Sequence, residues 1–283
     1  MSKFIQGYQK LAWMGYPIHV YLQKADQLIG MMSAKQTGKE DYLARATIDK
    51  IDNDMIHYCK VNCNFFDMST GQHYGVEQSF ENDFAPKQDE WLCLYIDKNN
   101  QPHYCKSSEY YLTKDDVLFA CSPAAILRHD DVETTIISSG ASVNFKSITN
   151  RTILLYMGDG KYAFMVTSSG LNINQLVSFA IAYGAIGIYL LDGGGSSQMI
   201  VDGYKKYYTS RPIANVLTFY KKPGTTEPDP EPEPEPEPEP DDKDKVIADL
   251  KAKLDEAETM LDRLEKRNDV LETKIQEIRN IIS

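Results

Sequence analysis

Ile186-Gly187-Ile188-Tyr189-Leu190-Leu191-Asp192-Gly193-Gly194-Gly195-Ser196-Ser197 is an apolar run that stops abruptly at an acid and three consecutive glycines. The run from Ile186 to Leu191 reads as a buried strand. Each glycine loses more backbone entropy on ordering than any other residue, so three in a row make sense where the backbone takes unusual dihedrals or approaches a ligand. Successive N–H groups in glycine-permitted conformations can form a concave nest for an anion, and Asp192 would sit at its mouth. A glycine-rich hairpin turn with a solvated aspartate is the other reading of the same residues. The loop lacks the Gly-Lys-Ser/Thr of a phosphate-binding P-loop and the Gly-x-Ser-x-Gly of a nucleophile elbow.

Upstream, Asn172 can cap a helix with Gln175 three residues on. Ile173, Leu176, Val177, Ala180 and Ile181 would form its apolar face, and Gly184 would end it. That helix falls between a strand ending at Thr167 and the strand ending at Leu191. The β–α–β arrangement delivers Asp192 to the carboxyl edge of a strand, a favoured ligand position. Further strands are expected at Pro17–Leu22, Tyr42–Ile51, Met55–Asn62, Trp91–Ile96 and Val117–Ala120. Thr152–Met157 and Lys161–Thr167 flank Gly158-Asp159-Gly160, a hairpin signature. The expected fold class is α+β: a β-rich globular domain of catalytic type over residues 1–222, an extended Pro/Glu linker over 223–242, and a parallel coiled coil over 243–283.

The formal charge of -11 is concentrated in the linker, where residues 227–242 carry nine carboxylates and no base; residues 1–226 are close to neutral. The body therefore has no electrostatic footprint for nucleic acid. No run is long enough to insert in a membrane, and Met1 to Gly7 lacks a signal-peptide hydrophobic region, so synthesis in the cytoplasm is expected. Five cysteines without a Cys-x-x-Cys pair read as reduced, partly buried thiols rather than a zinc site.

Proline at alternate positions from Pro228 to Pro240 forbids helix and sheet ladders, and the like charges repel. About 15 such residues at ~3.1 Å each make a rod of roughly 45 Å. Beyond it Ile247, Leu250, Leu254, Ala257, Leu261, Leu264, Asn268, Leu271, Ile275, Ile278 and Ile282 alternate spacings of three and four, the pattern of a coiled coil. A polar Asn268 at an a position favours a parallel dimer. Lys253 with Glu258 and Arg267 with Glu272 suit parallel strands, whereas Lys274 would face Arg279. The mixed Leu and Ile seam leaves a trimer open, so the expected partner is a second or third copy through residues 247–282.

Three blocks together resemble the phosphodiester glycosidase family, the domain of the lysosomal uncovering enzyme that removes N-acetylglucosamine from a phosphodiester. They are Val61-Asn62-Cys63-Asn64-Phe65-Phe66-Asp67 with Gly75 downstream, Asn150-Arg151-Thr152, and Leu191-Asp192-Gly193-Gly194-Gly195-Ser196-Ser197-Gln198-Met199 closing with Arg211-Pro212-Ile213-Ala214-Asn215. The Asp-Gly-Gly-Gly-Ser block with its later Arg-x-x-x-Asn is the specific part. The chain departs from the family at Cys63, where a small residue or glycine is usual, and at Thr167 to Gly170, where an Asp-Gly-Arg-like turn is usual.

The resemblance implies hydrolysis of a sugar-1-phosphodiester, which needs a proton-transferring carboxyl, support for an oxocarbenium-like centre and a cradle for phosphate. Asp192 is the lead catalytic carboxylate and Asp67 the second candidate. Arg151, Arg211 and the backbone of Gly193, Gly194, Gly195 and Ser196 are expected to hold the phosphate, since guanidinium forks match its oxygens. Asn62, Asn64 and Asn215 are expected to bind sugar hydroxyls. A divalent cation on Asp192 and neighbouring oxygens is left open, with no ligand spacing to specify it. The stalk-like second half points to display on an assembled particle: a phage virion or tail fibre, beside other virion proteins, acting on phosphate-containing glycopolymers of a host surface. A catalytically weak glycan- or receptor-binding head is the alternative, and a cytoplasmic sugar-nucleotide or signalling phosphodiesterase is a third reading.

Overall fold

Ile153, Leu155, Ala163 and Met165 pack on one side of a sheet, while Leu154, Tyr156, Tyr162 and Phe164 pack on the other. Successive strand residues point to opposite faces, so this alternation requires a sheet covered on both sides. The computed structural model describes residues 5–26, 29–34, 45–51, 56–79, 83–84, 91–113, 115–141, 143–168 and 170–222. The expected linker and coiled coil lie outside the described residues, as do residues 42–44 of one expected strand.

In chain order the strands are β1 (Gly7–Trp13), β2 (Tyr16–Lys24), β3 (Ile29–Ala34), β4 (His57–Asn62), β5 (Glu77–Ser79), β6 (Asp83–Phe84), β7 (Leu92–Asp97), β8 (Pro102–Lys106) and β9 (Val117–Cys121). They continue with β10 (Ala125–His129), β11 (Val132–Ile137), β12 (Arg151–Gly158), β13 (Lys161–Thr167), β14 (Gly187–Leu190), β15 (Met199–Val201), β16 (Tyr204–Tyr207) and β17 (Val216–Lys221). Helix α1 (Ile173–Tyr183) lies between β13 and β14. The main sheet runs β1-β2-β13-β12-β14-β10-β11, and its paired neighbours are antiparallel.

One face of this sheet is covered by α1 through Ile173, Leu176, Phe179 and Ala180. Its other face shares a core with two five-stranded sheets, β16-β15-β4-β17-β3 and β6-β5-β9-β7-β8. Central strands buried on both sides explain the near-continuous apolar runs of β12, β13 and β14 in a sheet that is antiparallel throughout. The result is a β-rich domain with a single α-helix among the described residues.

The helix forms as its caps require. The Asn172 side chain accepts from the Gln175 N–H at 3.0 Å, the Gln175 side chain accepts from the Asn172 N–H at 2.9 Å, and Gly184 ends the helix at φ 100°. Phe179 completes the buried face, whereas Ile181, expected there, is 43% exposed. The β–α–β arrangement exists in an opened form. β13 and β14 run parallel, but β12 lies between them, antiparallel to both. Asp192 still emerges at the carboxyl end of β14, one residue past Leu191.

The strand expected through Ile51 is corrected by a 3-10 turn over Ile48–Lys50. Ile48 and Ile51 are both fully buried, and a period of three brings residues three apart to one face where a strand's period of two would separate them. Ala46 keeps one bridge, to Ile213.

Phe164 ties the main sheet to β17: it is fully buried with its ring centroid 4.5 Å from that of Phe219. Phe164→Ala is expected to cost about 3–5 kcal/mol in urea unfolding. A loss below about 1 kcal/mol would contradict this packing.

Candidate active site

Asp192 is gripped through its main chain. Its N–H donates to the Cys63 carbonyl at 2.9 Å, and its carbonyl accepts from Asn62 Nδ2 at 2.7 Å. Only 8% of the residue is exposed, and its Oδ1 accepts from the Gly193 N–H at 2.8 Å. Burial pushes the carboxyl up to about 6, against the Ser196 hydroxyl, the Gly193 N–H and the charge of Arg211, which all favour the ionised form. A carboxyl in this range can take and return a proton near neutral pH.

The three glycines answer three different demands. A Cβ on Gly193 would stand 3.0 Å from the Asn150 carbonyl oxygen and 3.6 Å from Arg151 Cδ. Gly194 lies at φ +62°, in the left-handed region, and opens a short 3-10 turn over Gly194–Ser196. On Gly195 a Cβ would meet Arg211 Cζ at 2.6 Å, so the guanidinium lies directly against that backbone. The loop is therefore pressed between Arg151 at one end and Arg211 at the other.

Neither arginine is neutralised by a carboxylate within salt-bridge distance among the described residues. Arg151, the first residue of β12, is only 7% exposed; its Nη2 donates to Ser147 Oγ at 2.7 Å and to the Asn144 carbonyl at 3.2 Å. Burial lowers its pKa from the ordinary value, a sign of a cation held at a cost. Its Nε, with Ser197 Oγ and Gln198 Oε1, is buried without a hydrogen-bond partner among the described residues. Arg211 is exposed at the rim. One acid flanked by two guanidinium groups suits an anion rather than a cation, and no cluster of three potential metal ligands occurs among the described residues.

The backbone nest is narrower than the sequence implies. The Gly193 N–H is bonded to Asp192 Oδ1, the Gly194 N–H to the Asn150 carbonyl at 2.8 Å, and the Ser196 N–H to the Gly193 carbonyl at 3.2 Å. Among the four, the Gly195 N–H alone has no partner within the described residues. Ser196 is buried and hydrogen-bonds Asp192.

The three asparagines lie inside the wall. Asn62 Oδ1 accepts from Thr152 Oγ1 at 2.6 Å and from the Gln198 N–H at 3.1 Å, while its Nδ2 holds Asp192. Asn64 Nδ2 donates to the Val76 carbonyl at 3.0 Å and its Oδ1 accepts from the Ser122 N–H at 3.0 Å. Asn215 Oδ1 accepts from the Asn64 N–H at 2.9 Å, and its Nδ2 donates to Glu77 Oε2 at 3.0 Å. None is more than 2% exposed, so the geometry gives these amides the work of pins rather than of sugar ligands. Asp67 instead organises the Ser69-Thr70-Gly71 turn. The Ser69 hydroxyl and the Thr70 and Ser69 N–H groups hold its carboxyl down at about 2, too acidic for proton transfer near neutrality.

The profile of the phosphodiester glycosidase family matches residues 58–220, more than half of the chain. The chain belongs to the phosphodiester glycosidase family. The catalytic domain of zebrafish N-acetylglucosamine-1-phosphodiester alpha-N-acetylglucosaminidase, auto-inhibited by its pro-peptide, has a similar fold: TM-score 0.62 and 15% identity, over 76% of this chain and 82% of that one. A hypothetical protein from Synechocystis is similar at TM-score 0.55 and 9% identity, over 76% of this chain and 61% of its own. At these identities the likeness is one of fold. No curated protein matches in sequence. The matched segment of this phosphodiester glycosidase domain begins in β4 and ends in β17, so it contains Asp192, both arginines and the asparagine pins.

The buried carboxyl sets a pH signature on the stability of the glycosidase domain. A raised pKa means that the folded state holds the proton more tightly than the unfolded chain. The stability it contributes is complete below about pH 4 and is lost as pH rises through about 6. Over ~2 units at ~1.4 kcal/mol each, the loss is roughly 3 kcal/mol. Asp192→Asn has no such proton, so its urea stability is expected to gain on wild type by that order between pH 4 and pH 7. Parallel stability curves would contradict the burial of this charge.

Proposed function

We propose that this domain hydrolyses sugar-1-phosphodiester linkages, with Asp192 as the proton-transferring carboxylate and the arginine-flanked glycine loop as the phosphate seat. One observation carries the reading. A carboxyl lifted to about 6 stands beside a loop clasped by two guanidinium groups, neither neutralised by an acid among the described residues. Family membership supports it. Phosphate is already a good leaving group, so anion binding can replace much of the general-acid work. As the bond from C1 to the phosphate oxygen breaks, its electron pair leaves with the phosphate, and Arg151, Arg211 and the Gly195 N–H receive the growing charge. Water forms the new bond to C1, and ionised Asp192 takes its proton while supporting the positive charge at C1.

The sequence pattern of residues 223–283 extends the proposal to display. The rod and heptads would present two or three copies of the site on a stalk, as in a phage tail fibre acting on phosphate-containing surface glycopolymers, where copy number adds avidity. A binding head without turnover would use the same anion seat.

The direct test is incubation with a panel of sugar-1-phosphodiesters and purified wall polymers, reading free sugar. Wild type is expected to release sugar and Asp192→Asn to lose at least a hundredfold in rate. kcat/KM should fall tenfold per pH unit below about pH 6, as protonation removes the base. Binding without release favours the binding head, and full activity in Asp192→Asn removes the catalytic assignment.

A further inference from the structure

We propose that Glu77 is a positioning residue for the site: its carboxylate orients the amide of Asn215, and through it the Cys63–Asn64 segment that grips Asp192. This rests on the reading of Asp192 as the reacting carboxylate. Glu77 opens β5 and is 1% exposed, with Oε2 3.0 Å from Asn215 Nδ2 and 3.7 Å from Nε2 of the fully buried His73.

The inference turns on what each group can do in a hydrogen bond. Glu77 Oε2 accepts from the NH2 end of the Asn215 amide. The carbonyl end is then turned to the Asn64 N–H, which it meets at 2.9 Å. With an acceptor on one side and a donor on the other, a single orientation of this amide satisfies both, and Glu77 removes the flipped alternative. The order passes on through the main chain. The Asn215 carbonyl accepts from the Cys63 N–H at 3.3 Å, and the Cys63 carbonyl accepts from the Asp192 N–H at 2.9 Å. The next turn is held independently. Asn64 bonds to Val76, the residue before Glu77, and the Val76 N–H donates to Ser122 Oγ at 2.7 Å. Gly75 at φ +72° lets Ser122 approach, since a Cβ there would lie 2.0 Å from that hydroxyl. Glu77 thus acts from the third sheet on a site built by the other two, without touching it.

The test compares Glu77→Ala, which removes the acceptor, with Glu77→Gln, whose side-chain oxygen can still accept from Asn215. Amide exchange at Asn64 and the pH titration of the Asp192 carboxyl, both followed by NMR, need no substrate. In Glu77→Ala, Asn64 exchange should speed at least tenfold and the Asp192 midpoint should move; Glu77→Gln should restore both. On methyl N-acetylglucosamine-1-phosphodiester, Glu77→Ala should lose at least tenfold in kcat, and Glu77→Gln should retain most of it. Unchanged exchange and titration in Glu77→Ala overturn the proposal. If wild type turns over no phosphodiester, the catalytic reading fails by itself, while exchange and titration still decide the role of Glu77. Should Glu77→Ala fail to fold, Asn215→Asp alone and the double variant Glu77→Gln with Asn215→Asp carry the test. The single variant sets two carboxylates face to face and should lose Asn64 protection. The double variant lets the Gln amide donate to the new Asp and should recover it; no recovery overturns the proposal.

Discussion

A carboxylate kept out of water stays where it is only if its main chain is held, and the Asp192 backbone is held from both sides. Cys63 takes its N–H and Asn62 grips its carbonyl, so β4 and its continuation fix the end of β14. Burial then does the chemical work by raising the carboxyl to about 6, in the range where it can exchange protons at neutral pH. Without the grip, the loop could swing the charge into solvent and the pKa would relax toward its ordinary value.

The second constraint is charge. Two guanidinium groups stand at the ends of a three-glycine loop, and one of them is buried. A buried cation with no carboxylate partner among the described residues is held at a cost. In the proposed reading, an anionic ligand would offset that cost. The loop glycines matter less as a nest of N–H groups than as thin backbone that lets the arginines come close. Three of the four N–H groups in question are already bonded within the protein.

Much of this was legible in the sequence because it depended on short-range chemistry. The caps at Asn172 and Gly184, the positive-φ turn at Asp159 and Gly160, and the strand that stops just before Asp192 follow from local residue types. The family blocks brought Asn62, Arg151, Asp192, Arg211 and Asn215 forward; the fold sets Asn62, Arg151 and Arg211 against Asp192 and its loop, with Asn215 behind them on Cys63 and Asn64. What the sequence hid was long-range. Nothing in Asn62, Asn64 or Asn215 reveals that their amides face inward, since an asparagine reads the same as a pin and as a sugar ligand. Glu77 and His73 lie in a polar stretch that reads as a loop, yet both are buried. Asp67 looked like a second catalytic acid because a motif does not say what its carboxylate caps. The turn at Ile48 to Ile51 was misread because two isoleucines three apart fit a strand's composition but not its period.

The central claim is an anion seat at the Gly195 N–H between Arg151 and Arg211. It is tested most directly by titrating the isotopically labelled protein with inorganic phosphate and following backbone amides by NMR. Saturable shifts centred on Gly195 are expected, with affinity about tenfold weaker in Arg211→Gln, the loss of roughly one charge-assisted contact. Arg211 is exposed and makes no side-chain bond within the described residues, so this variant should leave the fold intact. Shifts absent from Gly195, or of equal affinity in Arg211→Gln, would contradict the account.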